Sequence, residues 1–394
     1  MKLLHALSSP LLAVALAAQS PTTLTLGTWN LEFLGSPGNY RQDLPLRDDA
    51  DFAAIGARIR ELGVDVLAVQ EINDEASLLK VAAGAGPTWQ SLLGTTGGWD
   101  DGVTAQRIGF LWNSDVVELL GAEELLGLPR EKNGVPIFHR VPVTAWFRVK
   151  ATGFDFRAIT VHLKAGQKDK DDEKRRLEAT ELHRWLSQLR TGATEDQDYV
   201  VLGDFNSSYG TGPEQLLEQG DVVRYVDQPQ PAPTIQHFAE PIDQIAPGPG
   251  FAELRRGSYR VHAEHGGLDK AAWRKTYSDH YAVTVQIDAA VDADPNATFR
   301  RGGAEWSLPA TRRPTPPPVA EPKPAPAAPR AVGKAQQWPP AVGSAIQVRI
   351  MDGTHYTGRL HQPLPEGPTG WLVLETEGAL RAVPFGQIAW INLQ

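Results

Sequence analysis

The chain has 394 residues, 41% of them hydrophobic and 22% charged, with a net charge of −9 and no cysteine. That composition supplies a sizeable core for two or three domains and excludes a largely disordered chain. It also excludes disulfides and a lipid anchor on an N-terminal cysteine, and it argues against strong metal-free binding to polyanions.

The N-terminus carries Lys2, an apolar run from Leu11 to Ala18 and an Ala-x-Ala exit at Ala17, ahead of Gln19-Ser20-Pro21. A weakly positive start, a short apolar stretch and small residues describe a secretory signal peptide over residues 1–18, too short to cross the roughly 30 Å of a bilayer core. The mature protein is therefore expected to be secreted, in the periplasm or outside the cell, and no later stretch is apolar enough to span a membrane.

A main domain follows over residues 22–290. Leu24 to Trp29 reads as a strand that delivers Asn30 and Glu32. Between Asp48 and Leu62, Phe52, Ile55, Ile59 and Leu62 recur at helical spacing behind an acidic start, and Gly63 closes the helix. Asp65 to Val69 is a buried strand that stops at Glu71. Ile108 to Trp112 is another strand, and Val143 to Val149 with Phe154 to Val161 reads as a hairpin turned at Gly153 and ending at His162. The charged stretch Gly166 to Arg176 reads as a solvated loop leading into a helix with an apolar face of Leu177, Leu182, Trp185, Leu186 and Leu189. Tyr199 to Gly203 is a strand ending at Asp204 and Asn206, and Tyr281 to Ile287 is the last of the domain. Strands that alternate with helices but also pair as hairpins suggest a mixed sheet, or two packed sheets flanked by helices.

Residues 308–340 are rich in Pro and Ala and read as an extended linker, carrying Arg312, Arg313, Lys323, Arg330 and Lys334 against Glu321. The acidic excess therefore sits on the main domain. Residues 341–394 resume short strands with turns at Asp352-Gly353 and Glu377-Gly378, which reads as a small closed β-barrel.

Five segments bring chemistry to strand ends in a fixed order: Thr28-Trp29-Asn30-Leu31-Glu32, Val69-Gln70-Glu71, Val161-His162-Leu163, Gly203-Asp204-Phe205-Asn206 and Ser278-Asp279-His280. Taken singly, each polar residue is more often a surface group or a turn former. Together they offer oxygen and imidazole groups suited to a hard divalent cation and a phosphate ester. Glu71, just past an apolar strand, needs a metal or a partner, because burying it unpaired is costly. Gly203 leaves room for close backbone approach, Asp204 can take a proton or orient a water, and Asn206 can donate to a phosphoryl oxygen. His162 and His280 can flank a phosphate, with Asp243 in Pro241-Ile242-Asp243-Gln244-Ile245 orienting His280.

In this order, Asn30, Glu71, His162, Asp204 with Asn206, Asp243, and Asp279 with His280 make the chain similar to the endonuclease/exonuclease/phosphatase superfamily, typified by deoxyribonuclease I. The resemblance runs from about Leu24 to Ile287. It implies a four-layer α/β/β/α sandwich, with Asn30, Glu71 and Asp279, and less firmly Glu32, holding Mg²⁺ or Mn²⁺. It implies that Asp204 activates water, that Asn206 and His162 bind the scissile phosphate, and that His280 with Asp243 is the acid/base pair. One departure stands out: Gln106-Arg107-Ile108-Gly109-Phe110 offers no glutamate to orient His162, so Gln106 or another residue takes that role, or His162 acts mainly as a phosphate donor. The tail resembles an Sm-like or SH3-like barrel through Val348 to Gly353 and Tyr356 to Gly358, and such an appendage suits an unidentified partner.

The activity expected is an exported, metal-dependent phosphodiesterase, a nuclease with nucleic acid as substrate. The alternatives are a phosphatase or phospholipase-like diesterase of the same fold and a catalytically idle scaffold. Substrate choice is expected to reside in the loops Gly35 to Leu46, Leu119 to Arg140 and Gln228 to Glu240.

Overall fold

The computed structural model describes residues 23–35, 44–97, 106–192, 195–208, 211–226, 232–290, 292 and 342, together with five strands between 345 and 393. The expected signal peptide over 1–18 and linker over 308–340 lie outside the described residues, as do parts of the loops around 36–43 and 227–231.

The first half of the domain alternates strands and helices: β1 (Thr23–Leu34), α1 (Asp49–Glu61), β2 (Val66–Ile72), α2 (Glu75–Ala85), β3 (Trp89–Leu93) and β4 (Arg107–Asn113). α1 starts where its acids signal it. The Asp48 carboxylate accepts from the N–H groups of Ala50 (2.8 Å) and Asp51 (3.1 Å), and Asp51 accepts in return from the Asp48 N–H at 3.1 Å. This reciprocal cap satisfies donors that the first turn leaves unpaired. Asp74 caps α2 by accepting from the Ser77 N–H at 2.7 Å.

β5 (Val117–Glu124), β6 (Glu131–Lys132) and β7 (Val135–Pro136) fall in the stretch expected to be a substrate loop. β5 pairs with β8 (Val143–Val149), and Ala122 joins the core, so that part of the stretch is a sheet edge. β8 and β9 (Asp155–His162) form the anticipated hairpin, with Gly153 at φ 85° in its turn.

α3 (Asp169–Thr191) corrects the sequence reading, because most of the supposed solvated loop is its first two turns. Asp169, Asp171 and Asp172 place negative charge at the helix N-terminus, where the backbone dipole favours it. The charges are also satisfied by folding back: Lys164 Nζ lies 3.0 Å from Asp171, and Arg175 donates to the carbonyls of Lys164 (2.8 Å) and Gly166 (2.7 Å). β10 (Tyr199–Asp204), α4 (Gly212–Glu218), β11 (Asp243–Pro247), β12 (Arg260–Val261), α5 (Lys270–Thr276) and β13 (Val283–Asp288) complete the domain.

Two mixed sheets result, in the orders β12-β13-β1-β2-β4-β3 and β11-β10-β9-β8-β5, with β1–β2 and β9–β10 parallel. Their inner faces share one core, in which Leu24, Leu26, Val66, Ala68 and Phe110 meet Phe147, Phe156, Ala158, Val200 and Leu202. Trp29, Leu67 and Val69 turn outward against Phe52, Ile55, Leu78 and Val81 of α1 and α2. Ile159, Val161 and Val201 do the same against Leu182 and Leu186 of α3. Each large apolar side chain so buried contributes about 1.5–3 kcal/mol.

The period-two alternation carries the site. Along the shared inner face Leu24 and Leu26 give way to Thr28 and Asn30, Val66 and Ala68 to Gln70, Phe156 and Ala158 to Thr160 and His162, and Val200 and Leu202 to Asp204. Where apolar turns to polar, Gln70 Nε2 donates to Thr28 Oγ1 (3.0 Å) and Thr160 Oγ1 (3.1 Å), bridging the sheets beneath the site.

The unit from Pro316 onward is compact in its own right. β14 (Ala345–Ile350), β15 (His355–Leu360), β16 (Trp371–Thr376), β17 (Ala379–Pro384) and β18 (Ile388–Leu393) make one antiparallel sheet in the order β17-β16-β15-β14-β18. The turns expected at Asp352-Gly353 and Glu377-Gly378 lie outside the described residues.

Candidate active site

Strand register brings the first residues together. On β9, β10 and β11, His162 stands beside Asp204 and Asp204 beside Asp243. Gly203, at φ 147°, allows this pairing: a Cβ there would sit 2.0 Å from the Val161 carbonyl oxygen. On the facing sheet, register shifts at Asn30/Leu34 and Val69/Ile72 interrupt the strands that carry Asn30 and Glu71. Glu32 (φ 44°), Phe33 (φ 50°), Glu71 (φ 59°) and Asn206 (φ 51°) occupy the left-handed region. Non-glycine residues held there cost about 1–3 kcal/mol each and persist where the surroundings fix them, which is common at functional sites.

Asp204 is the hub. Its Oδ2 accepts from Asn30 Nδ2 at 2.9 Å and lies 3.5 Å from His162 Nε2 and 3.9 Å from His280 Nε2. Its Oδ1 accepts from the Asn206 N–H at 2.8 Å. His162 Nε2 is also 3.8 Å from Glu71 Oε1, and Glu71 Oε2 accepts from the Phe33 N–H at 3.2 Å. His280 Nδ1 donates to Asp243 Oδ2 at 2.8 Å, the pairing the sequence suggests, and its Nε2 lies 3.9 Å from Asp279 Oδ1. Ser278 Oγ donates to the Asn30 carbonyl (2.7 Å) and accepts from the His280 N–H (3.0 Å), tying the last motif to the first.

The electrostatics follow from burying so many acids together. Burial, reinforced by the charge of Asp243, raises the Asp204 carboxyl to about 7. Burial and the charge of Asp279 raise Glu71 as well. Burial opposes charging of His280, but Asp243, Asp279 and Asp204 outweigh it and hold the imidazole well above its usual value. His162 is pushed the other way, by burial and by Arg140. The site thus pairs a neutral imidazole with a charged one across a carboxylate poised near neutrality.

Glu32 differs from the ligand expected of it. Arg274 Nε donates to its Oε1 at 2.6 Å, the Asp279 N–H donates to its Oε2 at 3.0 Å, and Arg47 lies 3.5 Å from that oxygen. Its oxygens are engaged in fixing the backbone of Asp279. Gln106 does not reach the His162 ring either: its Oε1 accepts from Arg140 Nη1 at 2.6 Å. Arg140 in turn donates to the carbonyls of His162 (3.0 Å) and Leu163 (2.9 Å), so that the backbone of His162, rather than its ring, is held. Sequence reasoning missed Arg140, and only its position as a lone cation in the apolar run around Val141 to Phe147 hinted at burial.

A family model described as "Endonuclease/Exonuclease/phosphatase family" matches residues 27–280, which span all of these groups. The chain belongs to this family. A protein named "Deoxyribonuclease" from Thioalkalivibrio sp. (strain K90mix) is 28% identical over 204 residues, 50% of each chain, so this chain spans about half the length of that curated relative. Among solved structures, the human Nocturnin catalytic domain with bound sulfate is similar at a TM-score of 0.48 and 14% identity, covering 68% of this chain and 95% of that one. A Bacteroides thetaiotaomicron mannosyl-6-phosphatase gives 0.48 and 19%, covering 66% and 98%.

The donor set fits the divalent cation that such a family implies. Glu71, His162 and Asp204 present ligand atoms within 4.8 Å of one another, and Asp204, Asp243 and His280 form a second such group. Both ring nitrogens of His162 and Asp279 Oδ1 are buried without a hydrogen-bond partner among the described residues. Crowded carboxylates with raised pKa values and an unpartnered carboxylate oxygen are what a hard cation with oxygen ligands would neutralise.

Proposed function

We propose that this chain is a divalent-metal-dependent phosphodiesterase, and specifically a nuclease that cleaves the backbone of nucleic acids. The observation that carries the reading is Asp204, whose one oxygen faces Asn30 at 2.9 Å, His162 at 3.5 Å and the Asp243-oriented His280 at 3.9 Å. Asp204 takes the proton of the attacking water, an assignment suited to a carboxyl raised to about 7. Asn206 and the neutral His162 donate hydrogen bonds to the phosphoryl oxygens. As the bond from phosphorus to the leaving oxygen breaks, His280, held protonated by Asp243, gives its proton to that oxygen. Glu71 and Asp279, with the amide oxygen of Asn30, would hold a divalent cation, which would supply electrostatic stabilisation of the phosphoryl charge.

A DNA or RNA diester is favoured over a lipid head group by the curated relative named a deoxyribonuclease, matched over half of each chain. The same proposal takes residues 1–18 as a signal peptide, and so a secreted or periplasmic protein, residues 22–290 as the catalytic domain, residues 308–340 as a linker and residues 341–394 as a small partner-binding barrel. Among the described residues no helix is long and apolar enough to cross a membrane.

The test is to incubate the protein with plasmid DNA, with RNA and with a chromogenic phosphodiester, each with Mg²⁺ or Mn²⁺ and then with a chelator. Cation-dependent cleavage of a nucleic acid that Asp204→Ala abolishes is expected. Cleavage of the small ester alone would leave the phosphatase or phospholipase-like alternative, and no cleavage of any substrate would leave the idle scaffold.

A further inference from the structure

A cleft with cationic side chains in its lining stands close to the proposed site of this acidic protein. A cavity of about 520 Å³ opens beside the catalytic histidine, floored by Leu44 and Pro45 and walled by Gln236, His237, Lys270 and Lys275. Its link to the site is direct: the Gln236 N–H donates to the Asp279 carbonyl at 2.8 Å, and the neighbouring Ile235 forms a β-bridge with His280. Arg274, also in the wall, donates to Glu32 at 2.6 Å and so is engaged in holding Asp279. Lys270 and Lys275 are different. Both are exposed, and among the described residues neither is in an ion pair.

Exposed apolar residues flank the lining residues along the chain. Leu46 is 57% exposed, Phe238 38% and Leu268 43%, and each stands within two residues of a wall or floor residue. Exposed apolar side chains and solvated ammonium groups are thus close together in sequence. They match a nucleotide unit, whose phosphate pairs with the lysines while its base covers apolar or aromatic surface. A small phosphate monoester or a single diester has nothing to place there.

We propose that this cleft is a subsite for the nucleotide adjoining the scissile phosphate, with Lys270 and Lys275 meeting its phosphate and Phe238 its base. The inference rests on the nuclease reading above and deepens it, because it makes these side chains determinants of polymer over single-ester substrates. Lys270 and Lys275 act on binding alone and lie outside the acid/base machinery. A phosphate pairing removed from this surface also removes counterion release, so the dependence of affinity on salt becomes shallower.

The experiment compares wild type with the Lys270→Glu/Lys275→Glu double variant and with Phe238→Ala on two substrates, a short oligonucleotide and the chromogenic single diester, across a salt series. The double variant is expected to raise KM for the oligonucleotide at least tenfold, with a flatter salt dependence and an unchanged kcat. Phe238→Ala is expected to raise the same KM without altering the salt dependence. Both variants should leave kcat/KM on the single diester within twofold of wild type. Equal losses on both substrates, or none on either, would overturn the subsite while wild-type cleavage of the oligonucleotide upholds the nuclease reading. Wild type that cleaves only the single diester would overturn the nuclease reading and the subsite together.

Discussion

Asp204 has an ordinary carboxylate value of 3.8 when solvated and is raised to about 7 where it lies against Asp243 inside the site. Between these values the folded protein keeps a proton that the unfolded chain has released. The sign follows from linkage: the group's contribution to stability is complete below about pH 4 and is lost as pH rises through about 7. With cation removed by a chelator, the melting temperature of the wild type should therefore fall between pH 5 and pH 8. Asp204→Asn, which has no carboxyl to ionise, should show a shallower fall over the same range. Other carboxyls raised by burial, such as Glu214 at about 8, add to the slope in both proteins, so the difference between them isolates Asp204. Parallel slopes would mean that the charge on Asp204 is already compensated in the folded protein. The same comparison bears on the cation, since Mg²⁺ added at pH 8 should raise the wild-type melting temperature more than that of the variant.

At the scale of elements, the site depends on strands whose polar ends stay in register. Gly203→Ala places a methyl 2.0 Å from the Val161 carbonyl, and the β9–β10 pair must separate to accept it. Forced overpacking of this kind costs about 1–3 kcal/mol, and here the added backbone strain at φ 147° has the same sign. Denaturant midpoints should fall accordingly. Because Asp204 and His162 are the next residues along that pair, kcat should fall as well, whereas a purely global effect would leave the activity of the folded fraction intact. These strands were legible because short apolar or β-prone runs, Leu24 to Trp29 or Tyr199 to Gly203, stop at polar residues; which of their faces meets the other sheet was not. The α1 cap and the Gly153 hairpin were legible for equally local reasons. The start of α3 was not, since Asp171 and Arg175 look solvated until their partners at Lys164 and Gly166 are placed beside them. The engagement of Glu32 was hidden for a related reason. Its partner Arg274 stands far along the chain, and no local pattern connects two charges that meet only through the fold.

Across the whole molecule, every residue of the proposed site falls within residues 30–280, and the unit from Pro316 onward is compact by itself. Chemistry on a small diester needs only the former, so a chain ending at Asp292 should keep kcat/KM on the chromogenic ester within about twofold, given that domains of this size fold as units. A polymer substrate is sensitive to more. The segment removed includes Arg312, Arg313, Lys323, Arg330 and Lys334 against the single acid Glu321, a net-positive stretch of an otherwise acidic protein. Its loss weakens the long-range attraction to a polyanion, an effect that decays over a Debye length of about 10 Å at 0.1 M salt. Plasmid cleavage by the shortened chain should therefore be several-fold slower than that of the full chain at low salt and converge with it as salt rises. A shortened chain that folds but no longer cleaves the chromogenic ester would instead require the tail to take part in the chemistry.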